Sequence, residues 1–330
     1  VSRVMVEELR DVVGVVREEP SERVGPQFGR LDDHAVEVED EDADRDRGSS
    51  GKWSVIVPDP VCSGNVRPIK RFQPNMNRTI AVQRLRDRLR AGGHTVGSWM
   101  QIPHASVAEI MGRAGYDWVA VDLEHGSIGV HQLPDLFRAL ELGDTLPLAR
   151  LAYGDPRDAK AALDAGAGGV IVPMVESAVQ IQAIREGCRW PPAGSRGVGF
   201  SRANLFGKHF EAYRDEAQAP LLVAMIEHVR ALAELDAILG VEGLDAVLIG
   251  PYDLSASMGL TARLDHPDLR SAVERIRLEA GRRGVASGLH VVAPSQEELE
   301  RRIEEGHRFL AYSTDASFLW HAAERTPSTR

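Results

Sequence analysis

From Thr95 onward, short apolar runs rich in Val, Ile and Leu alternate with longer stretches of helical periodicity. The strand-like runs are TVGSWMQI, DWVAVDLE, LPLARL, GGVIVPMV, PLLVAMIE, AVLIGP, ASGLHVV and RFLAYSTD. Between them lie SVAEIMGRAG, HQLPDLFRALEL, PRDAKAALDAG, SAVQIQAIREG, VRALAELDAIL, PDLRSAVERIRLEAGRRG and QEELERRIEEG, whose apolar residues recur at helical spacing. Such alternation implies a parallel sheet with helical crossovers, since a parallel connection must return along the sheet face. Eight units in about 250 residues favour closure into a (β/α)8 TIM barrel. A preceding helix is read from NRTIAVQRLRDRLRAGG, which glycine ends. The alternative is a doubly wound open sheet. That fold usually carries a Gly-rich phosphate loop after its first strand, where this chain has PHASVAEI.

Residues 1–75 have a different texture. A short amphipathic helix is predicted over Val4 to Val16. The acidic run VEVEDEDADRDRGSSG, from Val36 to Gly51, repels itself and buries nothing, so disorder is expected there. The stretch WSVIVPDP holds one strand-like patch, broken by proline. The predicted organisation is a poorly structured extension over 1–75, a barrel over 76–325 and a disordered tail over 326–330. A docking role for the extension is weighed against a dispensable one. One connection is long, from Arg189 to Ala219, and a loop of that length in a compact domain is usually functional.

The net charge of -10 argues against a nucleic-acid surface, which needs clustered Lys and Arg. No apolar run is long enough for a membrane span, and no secretory signal is read at the N-terminus. Cys62 and Cys188 are far apart and fit no metal-ligand spacing, so a reducing cytoplasm is the expected compartment.

Parallel barrels place chemistry at the C-terminal ends of their strands. Here the second strand runs out through Asp122, Glu124 and His125, and the third ends in Arg150. The fifth leads to Glu227-His228, and the sixth to Gly250-Pro251-Tyr252-Asp253-Leu254-Ser255. The seventh carries His290, and the eighth ends in Thr314-Asp315. Any one of these has a bland reading. A lone Glu at a strand end is more often solvated or salt-bridged than a ligand, and a lone His more often a hydrogen-bonded rim residue than a base. Their joint placement on successive strands points to a site.

Six motifs in order carry a family resemblance. They are GSWMQIPHASVAEIMGRAGYDWVAVDLEHG, LPLARL, LDAGAGGVIVPMVES, RWPPAGSRGVG, VAMIEH and GLDAVLIGPYDLSASMG. Together they resemble the class II pyruvate aldolases of the HpcH/HpaI family, which includes the 2-dehydro-3-deoxyglucarate and 4-hydroxy-2-oxoheptanedioate aldolases. The resemblance covers Asn77 to Ala323 and implies a barrel of the phosphoenolpyruvate/pyruvate-binding type. It implies a metal-dependent carbon–carbon lyase that cleaves a 4-hydroxy-2-oxo acid to pyruvate, or a related 2-oxo acid, and an aldehyde. It assigns a divalent metal to Glu227 and Asp253, proton transfer to His125, a partner for that His to Asp164, and the 2-oxo acid to Arg150. Pro173, Gly250, Pro251, Tyr252, Ser255 and His290 are read as substrate-binding and Arg196 as reaching the far end of the acceptor, against plainer readings in which Pro173 ends its strand, Gly250-Pro251 only shapes the turn that aims Asp253, and PPAGSRG is a structural turn. The resemblance further implies a homo-oligomer, commonly a hexamer.

The chemistry agrees with these assignments. Taking a proton from the methyl group of pyruvate leaves charge on the keto oxygen, which a chelated dication stabilises as a Lewis acid. Two carboxylates leave several coordination positions open. That suits Mg or Mn, with Co as a further candidate, whereas Zn favours more His or Cys ligands. No Schiff-base lysine is expected, since Lys160 falls in a helix and Lys208 in the long loop. Met225, Tyr252, His290, Arg202 and Asn204 depart from the family pattern, and they suggest an acceptor more polar than a simple semialdehyde. A citryl-lyase or citrate-synthase-like reaction on the same barrel is the alternative, followed by a non-catalytic barrel that binds a 2-oxo acid.

Overall fold

The computed structural model describes residues 77–324 and three short strands ahead of them, Val15–Arg17, Val36–Val38 and Trp53–Val55. The chain divides into two compact units, Val1–Arg67 and Pro68–Arg330. In the first unit the strands form an antiparallel sheet with Trp53–Val55 in the middle. The helix expected up to Val16 is overturned at its end, because Val15 and Val16 are extended. Both are β-branched and favour strands. Most of what was expected of residues 1–75, and of the tail at 326–330, lies outside the described residues.

The second unit is a closed, all-parallel barrel of eight strands. They are β1 (Thr95–Met100), β2 (Trp118–Asp122), β3 (Leu146–Arg150), β4 (Gly169–Val172), β5 (Leu221–Ile226), β6 (Ala246–Ile249), β7 (Ala286–Val291) and β8 (Phe309–Thr314). Closure is made where β8 pairs with β1, Phe309 opposite Thr95 and Ala311 opposite Gly97. The predicted strands all form. Around them run α1 (Arg78–Arg90), α2 (Ala105–Arg113), α3 (Leu133–Glu141), α4 (Pro156–Asp164), α5 (Ala178–Cys188) and α6 (Phe210–Gln218). The remaining helices are α7 (Val229–Ala233), α8 (Leu235–Leu239), α9 (Pro251–Ser257), α10 (Pro267–Arg282), α11 (Gln296–Glu304) and α12 (Asp315–Ala323). The stretch read as one helix, VRALAELDAIL, is therefore two, broken at Glu234. The long connection contains α6, and GPYDLSAS contains α9.

Alternate strand residues point inward and outward. Outward side chains such as Val119, Val121, Val170, Val172 and Val247 meet the helices in one large buried cluster. Inward side chains form a second cluster, with Trp118, Leu148, Ile171, Val223, Leu248 and Phe309 fully or nearly buried. Trp118 stacks on Phe309 with centroids 4.5 Å apart, and Trp99 meets Trp118 edge-on at 6.3 Å. The interior is thus a solid floor rather than a pore. Gly97 makes room for it, since a Cβ there would lie 2.0 Å from the Trp118 ring.

The N-terminal mouth of the barrel is plugged by α1. Val82 and Leu85 join the inner cluster, Arg86 forms two bonds to Asp245 ahead of β6 (2.7 and 2.9 Å), and Arg88 bonds Asp117 ahead of β2. The C-terminal mouth is left for function. No helix among the described residues is long and apolar enough to cross a membrane.

Candidate active site

Strand parity puts polar side chains where the inward row reaches the open mouth. Asp122 ends β2, Arg150 ends β3, and the register sets them opposite one another. Asp122 is fully buried and Arg150 is 7% exposed. Arg150 Nε donates to Asp122 Oδ1 at 2.8 Å and Nη2 to Oδ2 at 2.5 Å, a forked pair. The guanidinium lies over the Trp99 ring, 4.5 Å from its centroid. Its third nitrogen, Nη1, is 3.3 Å from Glu124 Oε2. Burial alone pushes the Asp122 carboxyl up, but the bonds and charge of Arg150 override it and hold its pKa below the usual value. Asp122 also accepts from the amides of Glu124 (3.0 Å) and His125 (3.2 Å), and from the Gln101 side chain (2.9 Å). The loop that carries His125 is folded onto this one carboxylate.

Glu227 follows β5 and is 3% exposed. Its Oε2 accepts from the Met174 amide at 3.0 Å, and Met174 adopts a left-handed φ of 48° just after β4. Gly250, after β6, lies so close that a Cβ would stand 2.3 Å from Glu227 Oε1. Asp253 sits exposed in the first turn of α9. Burial pushes the Glu227 pKa up to about 7; the Met174 amide opposes this, Glu124 and Asp253 reinforce it, and Arg150 opposes it. Glu124 is raised in the same way, by burial, with Arg150 opposing and Asp122 and Asp253 adding. Three carboxylates therefore repel one another across one mouth. Glu124 Oε2 is sealed from solvent without a hydrogen bond, although it pairs with Arg150 by charge.

A divalent cation fits this arrangement. It would relieve the mutual repulsion that raises Glu227 and Glu124. Among the described residues no three His, Cys, Asp or Glu groups come close enough to hold an ion by themselves. A cation bound there would take its remaining positions from water or substrate oxygens.

The other expected residues divide between the two mouths. His125 is exposed on the loop after β2, with Nε2 4.0 Å from Glu124 Oε2. Pro173 is buried beside Met174, Pro251 opens α9, and Tyr252 is exposed next to Asp253. His290 points inward from β7, edge-on to Trp99 at 5.9 Å. Ser255 does not face a substrate. It is fully buried, its Oγ donates to the Tyr252 carbonyl (2.6 Å) and accepts from the Ala262 amide (3.1 Å), so it ties the turn after α9.

Asp164 and Arg196 lie at the other mouth. Asp164 is the last residue of α4, and helices of a barrel run from the C-terminal mouth back to the N-terminal one. Its pKa is raised by burial, opposed by the charges of Arg196 and Lys160. Arg196 lies between α5 and β5. It is 2% exposed, bonds the Tyr213 hydroxyl of α6 at 2.9 Å and stands beside Trp190. Helix α6 in turn is tied through Glu216 to Arg78 of the plugging helix, at 2.6 Å. Within one chain, Asp164 cannot pair with His125 and Arg196 cannot reach an acceptor at the open mouth. The long connection, expected to be functional, belongs to the plugged end.

A cavity of about 780 Å³ lies off the carboxylates, between α10 and α11, and touches the rim only through Pro251, Tyr252 and His290. The carboxylates and Arg150 thus lie apart from this cleft.

The family model for HpcH/HpaI aldolase/citrate lyase matches residues 95–322. The chain belongs to this family. A hydroxypyruvate/pyruvate aldolase of Roseobacter denitrificans is 37% identical over 234 residues, 70% of this chain and 90% of that protein. A 4-hydroxy-2-oxo-heptane-1,7-dioate aldolase of Salmonella dublin is 32% identical over 241 residues, 72% and 91% of the two chains. The crystal structure of an HpcH/HpaI aldolase/citrate lyase family protein from Burkholderia cenocepacia J2315 superposes with a TM-score of 0.69 at 31% identity, covering 73% of this chain and 96% of that one. This HpcH/HpaI chain is an aldolase-type carbon–carbon lyase.

Within that family frame, two site residues carried no assigned role from the sequence. Asp122 was visible as a strand-end acid, but only the register shows that it faces Arg150. Glu124 sat in the same DLEH segment, and only its burial beside Arg150, Glu227 and Asp253 marks it as part of the site.

Proposed function

We propose that this enzyme reversibly cleaves a 4-hydroxy-2-oxo acid to pyruvate, or a related 2-oxo acid, and an aldehyde, with a divalent cation held by Glu227 and Asp253. The observation that carries the reading is the meeting of Glu124, Glu227 and Asp253 with the single guanidinium of Arg150 at the one open mouth. When bound, the cation supplies Lewis-acid polarisation of the keto group. Arg150 faces the charge that develops on the keto oxygen. The fork to Asp122 and the face of Trp99 fix it before substrate arrives, so no reorganisation is needed during the reaction.

The Met174 amide holds the Glu227 carboxylate in place, and Gly250 lets it lie flat against the start of α9. His125 takes the proton of the C4 hydroxyl as the C3–C4 bond breaks, and returns a proton to C3. Asp164 acts on a His125 only if a second copy of the chain delivers it, which agrees with the homo-oligomer that the resemblance implies. Exposed Phe200, Phe206, Leu319 and Trp320 offer apolar area for such contacts. Cys188 is 2% exposed with its thiol pushed up to about 12 by burial, an inert core residue in keeping with a reducing compartment.

The test is exchange of the methyl protons of pyruvate for deuterium, with and without Mg or Mn. Exchange that needs the cation and is abolished by Glu227→Ala and by Asp253→Ala is the expected result. Cation-independent exchange, or exchange retained in either variant, overturns the assignment. Release of pyruvate separates this reaction from a citrate-synthase-like one, which frees coenzyme A, and from a citryl-lyase one, which yields oxaloacetate.

A further inference from the structure

Strand β8 bulges just before it ends. Ala311 stands opposite Gly97 and Thr314 opposite Trp99, so two residues of β8 face one of β1 in between. Ser313, one of the two, takes a left-handed φ of 54°. Its Oγ donates to the Val292 carbonyl at 2.9 Å, and its own carbonyl accepts from Ser98 Oγ at 3.2 Å. A residue with a β-carbon keeps such a backbone only where its surroundings hold it there. The bulge decides where the next carboxylate lands. Asp315, 4% exposed at the start of α12, accepts the Gln101 amide on Oδ1 and the Ile102 amide on Oδ2, both at 2.9 Å. One side chain from the end of the last strand thus clamps the chain leaving the first, across the seam where the barrel closes.

Gln101 is the residue so held. Trp99 points inward and Met100 outward, and alternation turns Gln101 inward again, at the open mouth above Trp99. Its Nε2 donates to Asp122 Oδ2 at 2.9 Å. The other donor to that oxygen is Arg150 Nη2, whereas Oδ1 receives Arg150 Nε and the amides of Glu124 and His125. Without Gln101 the carboxylate keeps a single donor on Oδ2 and is free to tilt. A forked pair needs its carboxylate and guanidinium in one plane, so a tilt of Asp122 carries Arg150 with it.

We propose that Gln101 is a positioning residue for the aldolase reaction: pinned by Asp315, it fixes Asp122 and through it Arg150. The proposal rests on the aldolase reading and extends it to two residues that reach the substrate only through others. Closure of the barrel then does more than hold the fold together, because the seam between β8 and β1 sets the guanidinium that faces the developing charge. Donors that are slightly misplaced lose much of their effect on the rate.

The test follows cation-dependent exchange of the methyl protons of pyruvate in the Mg-loaded enzyme, with Tm measured alongside. The variants are Gln101→Leu, Gln101→Glu, Asp315→Asn, Asp122→Asn and the double variant of Gln101→Leu with Asp122→Asn. Gln101→Leu is expected to lower kcat for exchange about tenfold with KM within about twofold, because Arg150 serves the transition state. Gln101→Glu keeps the size, but at about pH 8 it sets a second carboxylate against Asp122, so it should lose at least as much. In the Asp122→Asn background Gln101→Leu should cost less than about a further twofold, since the route to Arg150 is already cut. Asp315→Asn turns one acceptor into a donor and should reproduce the kcat loss of Gln101→Leu; if it does not fold, the Gln101 variants still decide. Independent, multiplying losses at Gln101 and Asp122 overturn the proposal. So does a wild-type rate in Gln101→Glu or in a folded Asp315→Asn, or a fall in Tm without a fall in kcat for Gln101→Leu. A wild type that exchanges no protons overturns the aldolase reading, and the proposal with it.

Discussion

Replacing Asp122 by Asn keeps the shape of the side chain and removes its charge from beneath Arg150. Both partners are buried, at 0% and 7% exposure, and Arg150 makes two short bonds to the carboxylate. Removing one partner of a buried ion pair costs about 3–5 kcal/mol, because the other charge is left uncompensated. Asn still offers one acceptor oxygen, and Glu124 still stands 3.3 Å from Nη1, so about 2–3 kcal/mol is the expected loss. For a domain of this size that lowers Tm by roughly 5–10 °C. The pair also has a pH signature. The folded pKa of Asp122 lies below its unfolded value of about 3.9, so its stabilisation is complete above that pH and is lost as pH falls through the folded pKa. The gap in Tm between wild type and variant should hold steady from neutral pH down to about 4 and shrink below it. Catalysis should fall as well, since the same carboxylate holds Arg150 and the His125 loop. Thermal melts across pH and pyruvate exchange at neutral pH measure both effects. A variant that melts within about 1 °C of wild type and exchanges pyruvate within about twofold of its rate would refute the role given to the fork.

Three further outcomes are expected. Gly250→Ala should leave a folded protein, seen by circular dichroism, and cut cation-dependent exchange at least about tenfold, because its Cβ displaces Glu227 Oε1; unchanged exchange would show that the carboxylate can move aside freely. Stabilisation by Mg or Mn in a thermal-shift assay should be greater at pH 8 than at pH 5.5. Burial raises Glu227 to about 7, so folding without a cation weakens as pH rises through that value, and a bound cation reverses the sign. A chain beginning at Met76 should fold and remain active, and an insoluble product would mean that the extension belongs to the barrel's core.

Much of this protein is legible along the chain because the signals are local. The period of apolar residues switches between two and about 3.6, and that switch names the eight strands and most of the helices of the barrel; α6 and α9 escaped it. Strand-end positions were legible for the same reason: Arg150 ends β3, Glu227 follows directly on β5, Asp253 lies in the connection after β6, and βα connections open onto one mouth. Asp164 and Arg196 break the pattern because they precede a strand instead of following one. That position alone puts them at the plugged end, and only the family motif drew attention to them. Ser255 was misread because a sequence does not say which way a helical hydroxyl points.

What the sequence by itself determined is the barrel, the mouth onto which its βα connections open and the acids and guanidinium at the strand ends, since each depends on residues near one another in the chain. Tertiary structure alone decided the partners: Asp122 opposite Arg150, Trp99 beneath it, Glu124 close enough to repel Glu227, and Gly250 yielding space to a carboxylate from another strand. These relations arise from register and closure, which bring together residues tens of positions apart, and no local propensity encodes them.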